Sequence, residues 1–180
     1  MPRISKVTTK TGDDGTTGLA DGSRLSKTDK RIHLLGELDE LNAHIGLCIS
    51  LSNTDQQSAL IQIQHDLFDM GGEICQPGKT LINDQHISFL EEEINQKTEQ
   101  LSLLKEFILP TGSPLVANLH ISRTIARRCE RSACDMLDEL NLKTLQYLNR
   151  LSDFLFVYSR FMTQLNKEKE IYWQSQYSRI

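Results

Sequence analysis

The sequence predicts an all-α protein, a five-helix antiparallel bundle with an irregular N-terminal arm, and three observations carry that prediction. After residue 28, apolar residues recur three and four positions apart, which lays them on one face of a helix. Glycine, aspartate and threonine crowd the first 27 residues instead, and such clusters break regular elements. Proline and glycine then stand where helices must start or stop.

The elements follow in order. Residues 1–27 form the arm, with Thr9, Thr11, Gly12, Asp13, Asp14, Gly15, Thr16, Thr17 and Gly18, then Asp21, Gly22 and Ser23. Leu34, Leu38, Leu41, Ile45 and Cys48 predict a helix over about 29–51. Leu60, Ile63, Leu67, Met70 and Ile74 predict a second over about 55–75, stopped by Pro77-Gly78. Ile87, Leu90, Ile94, Leu101 and Leu104, interrupted by Lys97, predict a third over about 84–104. Leu115, Leu119, Ala126, Cys129, Ala133 and Met136, interrupted by Ser122, predict a fourth over about 114–139. Its start is marked by Ser113 as N-cap and Pro114 at the first helical position. Pro110 biases Leu109 toward an extended conformation, so 107–112 is not helical throughout. Leu148, Leu151, Leu155, Tyr158, Met162 and Leu165 predict the fifth over about 143–167. The expectation is one domain over 1–180, with the arm at 1–27, the bundle at 28–167 and a C-terminal tail at 168–180.

Composition bounds the function. A chain of 180 residues suits one domain. It is 38% hydrophobic and 24% charged, as expected of a soluble globular protein. The net charge of −4 argues against a nucleic-acid or membrane-surface partner. No apolar run approaches a membrane span. The first residues, Met1-Pro2-Arg3-Ile4, open no apolar signal region. Cys48, Cys75, Cys129 and Cys134 form no CxxC pair and are read as free, buried thiols of a reducing cytosol. The expected location is cytoplasmic.

The fourth helix holds the densest chemistry. Arg123, Arg127 and Arg131 share a stripe at i, i+4 and i+8, with Arg128 beside them and Glu130 on the same side as Arg123. A solvated charged face would account for one arginine. Four within nine residues, in a chain of net negative charge, point to an anion site, because the planar guanidinium grips phosphate oxygens bidentately. The fifth helix adds Asn149, Asp153 and Arg160 on a second stripe. Asn149 suits a nucleotide's hydroxyls or phosphates, whereas Asp153 and Arg160 also fit an ordinary helix ion pair. The arm supplies Lys10, Arg24 and Lys27, and its loop suits backbone N–H contacts to phosphate. It is neither a Walker loop nor an EF-hand. Asp39 and Glu40 raise a ferritin-like di-metal alternative, but none of His33, His44, His65, His86 and His120 follows a glutamate by three residues.

The segments TKTGDDGTTGLADGSRLSK, GELDELNAHIG, FILPTGS, RTIARRCER and NRLSDFLF occur in this order. As an ordered set from Thr9 to about Trp173, the sequence resembles the PduO-type ATP:cob(I)alamin adenosyltransferases. That resemblance implies a homotrimer of five-helix bundles with active sites between subunits. It implies that Thr9, Lys10, Thr11, Gly12, Thr17 and Lys27 hold ATP, completed from the neighbouring subunit by Arg127, Arg128, Glu130, Arg131 and Asn149. Asp39 would pair with Arg123 across the interface, and Phe107 would face the lower side of the corrin ring. Arg127, Arg123, Asp39 and Phe107 are then the residues closest to catalysis, with Phe107, Asp39 and Arg123 at the corrinoid. No protein metal site is implied, since Mg²⁺ would arrive on the ATP phosphates. The implied substrates are ATP and cob(I)alamin, and the implied partners are a flavoprotein reductase and a B12-dependent enzyme. One departure stands out. The family often reads RRAER after a cysteine, and here Ala126 and Cys129 exchange those two small residue types. A non-catalytic escort of ATP or cobalamin, and a helical interaction module with an arginine patch, are the competing classes. Fold alone does not separate them.

Overall fold

A computed structural model describes residues 8–176. Its helices are α1 (Lys30–Ser50), α2 (Ser58–Ile74), α3 (Asp84–Thr98), α4 (Pro114–Cys134) and α5 (Leu142–Leu165). Local capping sets most starts. Asp29 accepts from Arg31 N at 2.8 Å, Asn83 from Gln85 N at 2.9 Å and Asn141 from Lys143 N at 3.0 Å. Each satisfies an N–H that the helix leaves orphaned.

Side-chain links fix the directions. Arg31 reaches Ile74 O and Asn42 reaches Gln64 O, so α1 and α2 are antiparallel. Cys48 meets Ser122 while Arg128 meets Glu40, so α1 and α4 are antiparallel too. Lys143 pairs with Asp84 and Arg150 with Glu91, so the neighbours α3 and α5 run parallel. In a bundle whose successive helices alternate up and down, α3 and α5 point the same way. The five apolar stripes meet in one core, where Leu34, Leu41, Ile63, Leu119, Leu151 and Phe154 are fully buried. Each such side chain contributes about 1.5–3 kcal/mol relative to exposure.

Three expectations need correction. The arm is not wholly irregular: β1 (Thr16–Gly18) and β2 (Arg24–Ser26) pair antiparallel, with Thr17 opposite Leu25. Asp21 Oδ1 accepts from Ser23 N and Oγ, and Gly22 at φ 87° supplies the left-handed turn residue between the strands. The third helix stops at Thr98, short of Leu101 and Leu104. Side chains of α5 take the carbonyls there: Gln164 donates to Gln100 O and Arg160 to Ser102 O. The fourth helix ends at Cys134 and continues as turns, with Lys30 Nζ donating to Asp135 O at 3.3 Å.

Lys97, the polar interruption in the α3 stripe, has a role in packing. Its ammonium lies 5.8, 5.5 and 5.8 Å from the ring centroids of Phe154, Tyr158 and Phe161 and pairs with Glu93. The thiols divide into two sets. Cys48 and Cys129 are buried, Cys75 is half-buried and Cys134 is exposed, so the expectation of four buried cysteines holds for two.

Candidate functional site

The arm closes on itself through backbone and lysine. Gly15 N–H donates to Gly12 O at 3.2 Å, Lys27 N–H to Gly15 O at 2.9 Å and Lys27 Nζ to Gly12 O at 2.8 Å. A Cβ at Gly12 would lie 2.9 Å from Thr16 O, so this close approach needs glycine. Thr9 and Thr11 hydroxyls sit 3.0 Å apart, and Lys10 holds a left-handed φ of 59°. Arg24 donates to Thr11 O and Thr16 Oγ1 and organises the turn. The structure thus gathers Thr9, Lys10, Thr11, Gly12 and Lys27 in one loop, with Thr17 on the adjoining strand. Asp14 is held below the ordinary carboxylate range by the Thr16 hydroxyl and N–H and, more weakly, by Arg24.

The α4–α5 seam forms the second part. Asn149 donates to Glu130 Oε1 at 2.9 Å, Arg150 donates to Asn149 Oδ1 at 2.8 Å, and Arg150 Nε is held by Glu91 at 2.8 Å. Both ends of the Asn149 amide are therefore fixed. Arg131 uses one nitrogen on Arg127 O at 3.0 Å. The Arg127 guanidinium is exposed and makes no hydrogen bond or ion pair among the described residues. Asp153 lies in the same field, its pKa raised by partial burial and by Glu130 while Arg150 and Arg127 oppose the rise. It does not pair with Arg160, which goes to Glu170 instead.

Arg128 behaves differently from its neighbours. It pairs with Glu40 and lies 3.7 Å from Glu37, both on α1 of its own chain. This pair was not among the sequence-based expectations. The signal was available, since Glu37 and Glu40 stand three apart on one face of α1.

Arg123 is half-buried, and its Nε has no hydrogen-bond partner. Burial, then the nearby Arg127 charge, lowers its pKa. Asp39 is exposed and unpaired among the described residues. Within one chain the two are not joined. The Cys48–Ser122 and Glu40–Arg128 contacts place Asp39 level with Cys129, about 9 Å along the axis from Arg123 at 1.5 Å per residue.

Phe107 lies on the loop between α3 and α4 and is 74% exposed, so it is not a core aromatic. A cleft of about 240 Å³ runs beside Leu104, Lys105, Glu106 and Phe107. Its ring meets Trp173 edge-on, an arrangement that sequence spacing gave no means to see. A larger cleft of about 450 Å³ opens between α2 and α3, beside Gln62, Asp66 and His86, and contains none of the predicted site residues.

The parts suit an anion with a sugar rather than proton-transfer chemistry. Free guanidinium, lysine and backbone N–H groups bind phosphate, and the Glu130–Asn149 pair offers both an acceptor and a donor to hydroxyls. Residues 7–162 match the model of the cobalamin adenosyltransferase family. The chain belongs to that family. Its activity is the family's, ATP-dependent transfer of an adenosyl group to a corrinoid. A cobalamin adenosyltransferase of Cupriavidus metallidurans is 46% identical over 176 residues, covering 96% of both chains. A corrinoid adenosyltransferase of Mycobacterium leprae is 40% identical, covering 95% of this chain and 96% of that one. Among solved structures, a phenylalanine-to-alanine variant of the PduO-type ATP:corrinoid adenosyltransferase from Lactobacillus reuteri, complexed with cobalamin and ATP, superposes with a TM-score of 0.89 at 34% identity. That match covers 94% of this chain and 100% of the other. An arginine-to-lysine variant of the same enzyme, complexed with ATP, gives a TM-score of 0.87 at 35% identity, covering 93% of this chain and 100% of the other. The ordered motifs therefore led to the right family, and the helical bundle is the family's fold.

Proposed function

We propose that this adenosyltransferase binds ATP between the arm of one subunit and the α4–α5 seam of another, with the corrinoid beside the Phe107 loop. Thr9, Lys10, Thr11, Gly12, Thr17 and Lys27 hold the phosphates from one side. Arg127 and Arg131 hold them from the other, while Glu130 and Asn149 hold the ribose. Arg128 takes part through its hold on α1. The observation that carries this reading is the unpaired Arg127 guanidinium beside the fixed Glu130–Asn149 pair.

The chemistry needs little acid–base help. The Co(I) electron pair attacks C5′ of ATP, a Co–C bond forms, and the C5′–O bond breaks with its electrons leaving on triphosphate. Cobalt passes formally from Co(I) to Co(III). The protein orients two large substrates and stabilises charge on the leaving group. Mg²⁺ would enter on the ATP phosphates. Phe107 supplies an apolar face that excludes a lower axial ligand, which makes Co(II) easier to reduce.

The assembly read from these residues is a homotrimer. Asp39, exposed and unpaired, and Arg123 Nε, unpartnered on α4, each lack a partner among the described residues of their own chain. A second copy supplies both by bringing Asp39 to Arg123. The whole chain then acts as one cytoplasmic unit, fed by a flavoprotein reductase and serving a B12-dependent enzyme. No helix among the described residues is long and apolar enough to cross a membrane.

The test is direct. Incubated with ATP, Mg²⁺ and chemically reduced cobalamin, the protein converts the Co(I) spectrum to that of adenosylcobalamin and releases triphosphate. Binding of ATP with an unchanged Co(I) spectrum would support an escort instead.

A further inference from the structure

The segment that follows α5 is tied to the Phe107 loop at several points, directly and through Arg160 of α5. Arg160, 8% exposed, donates from Nε to Glu170 Oε1 at 2.6 Å and from Nη2 to Ser102 O at 3.0 Å. Ser113 N–H donates to Glu168 Oε2 at 3.2 Å. Between these anchors an antiparallel bridge forms at Ile108 and Tyr172, where Leu109 N–H donates to Ile171 O and Trp173 N–H to Phe107 O, both at 2.7 Å. The segment 168–173 therefore holds the loop at its middle and at the helix that follows, and Arg160 links Glu170 to the loop's start at Ser102.

The bridge fixes the Phe107 backbone, but it leaves the ring free to change rotamer. Phe107 is 74% exposed, so few neighbours restrict it. The one ring contact recorded for it among the described residues is Trp173, at a centroid distance of 6.3 Å and an interplanar angle of 71°. That edge-to-face geometry is attractive beyond simple area burial. Trp173 is itself held by its backbone bond to Phe107 O, not by burial, since it is 49% exposed. Its side chain is not part of the buried core.

We propose that residues 168–173 clasp the 102–113 loop and that Trp173 is a positioning residue, fixing the ring of Phe107 in the orientation it presents to the corrinoid. The inference rests on the reading that Phe107 faces the lower side of the corrin ring. Trp173 touches neither cobalt nor ATP in this role. It acts through Phe107 on the reduction of Co(II), and not on the transfer step that follows.

Full-length Trp173→Ala, Trp173→Phe, Phe107→Ala and the double Phe107→Ala/Trp173→Ala are compared by two rates. One starts from pre-reduced Co(I); the other starts from Co(II) with a reduced flavoprotein. In Trp173→Ala the ratio of the second rate to the first falls roughly three- to tenfold, the size of an edge-to-face contact. Trp173→Phe restores most of it. The double variant falls no further than Phe107→Ala, because a residue that acts through Phe107 has nothing to act on once it is gone. Trp173 is the only tryptophan of the chain, so its emission reports the contact without any turnover. That emission changes in Phe107→Ala, and cob(II)alamin quenches it in the wild type. Equal loss of both rates in Trp173→Ala, or full additivity in the double variant, overturns the inference. If Phe107→Ala alone lowers both rates equally, the reading of Phe107 is what fails, and the inference falls with it.

Discussion

Asn149 on α5 donates to Glu130 on α4 at 2.9 Å, and this bond stands on the seam where the α4 arginines part company. Arg127 and Arg131 remain on the seam side, with Arg131 turned back onto the Arg127 carbonyl. Arg128, adjacent in sequence, turns to Glu37 and Glu40 on α1. A step of 100° per residue is enough to send neighbours to different helices. One four-arginine segment thus holds a free guanidinium, which we propose serves the ligand, and one tied to the bundle.

This division predicts opposite responses to the same substitution. Arg127→Lys keeps the charge and loses the planar fork. Turnover should fall about 10- to 100-fold, with a smaller change in ATP affinity, if the fork grips the leaving triphosphate. Arg128→Lys should leave the ratio of turnover to ATP affinity nearly unchanged and lower the melting temperature instead. Steady-state kinetics beside thermal melts separate the two. An effect of Arg127→Lys on ATP affinity alone would reduce it to ground-state binding.

A second prediction concerns assembly. Asp39 and Arg123 Nε lack partners among the described residues of their own chain, and the two side chains are proposed to pair across subunits. Removing one partner of a largely desolvated pair costs about 2–5 kcal/mol. Asp39→Ala should therefore shift trimer dissociation to markedly higher protein concentration, and Asp39→Ala/Arg123→Ala should cost less than the two single changes added together. Sedimentation across a concentration series reads both. A wild-type protein that is monomeric at micromolar concentration would sink the assignment.

Much of this arrangement was visible in the sequence. The five stripes of apolar residues predicted five helices because burial selects one face at a fixed period. Ser113-Pro114 marked the start of α4 because its logic is local. The ends of α3 and α4 were missed because distant side chains decide them, Arg160 and Gln164 in one case and Lys30 in the other. The β1–β2 hairpin was missed because Asx turns and a left-handed glycine do the pairing, with only three residues per strand. The site residues were named from order and motif. The Arg128 ion pairs, the Glu91–Arg150–Asn149 chain and the Trp173 contact needed coordinates, since each joins residues far apart in sequence.

Glu73 is another residue that periodicity passed over, and it supports a stability prediction. It is buried on α2 and accepts from Leu81 N at 2.6 Å, Ile82 N at 3.0 Å, Asn141 Nδ2 at 3.3 Å and Thr144 Oγ1 at 2.5 Å. One carboxylate thereby ties the α2–α3 connection to the start of α5. Glu73→Ala strands several buried donors and should cost about 3 kcal/mol or more. Thr144→Val leaves the buried Glu73 Oε1 without its donor and should cost about 1–3 kcal/mol, less than Glu73→Ala. Urea unfolding gives both values. Equal losses would mean that Thr144 carries the anchor alone.

The last prediction concerns pH. His120 is 4% exposed on α4 and its Nδ1 has no hydrogen-bond partner. Burial, then the Arg123 charge, pulls its pKa from 6.5 down to about 4. The folded protein therefore keeps this ring neutral where the unfolded chain would already protonate it. Between those two values the unfolded state binds more protons, so stability rises with pH. The contribution is fully present above pH 6.5 and is lost as pH falls from 6.5 toward 4. Its size is of order 1–3 kcal/mol. Glu139, held below the ordinary carboxylate range by Lys30 and Arg31, acts in a lower window and with the same sign. The urea midpoint of the wild type should thus be flat from neutral pH to 6.5 and should already decline before the carboxylates titrate. His120→Gln offers a polar side chain that does not titrate, and it should remove the early decline while leaving the later one. If the two proteins decline in parallel from 6.5 downward, His120 is not the group that couples this fold to pH.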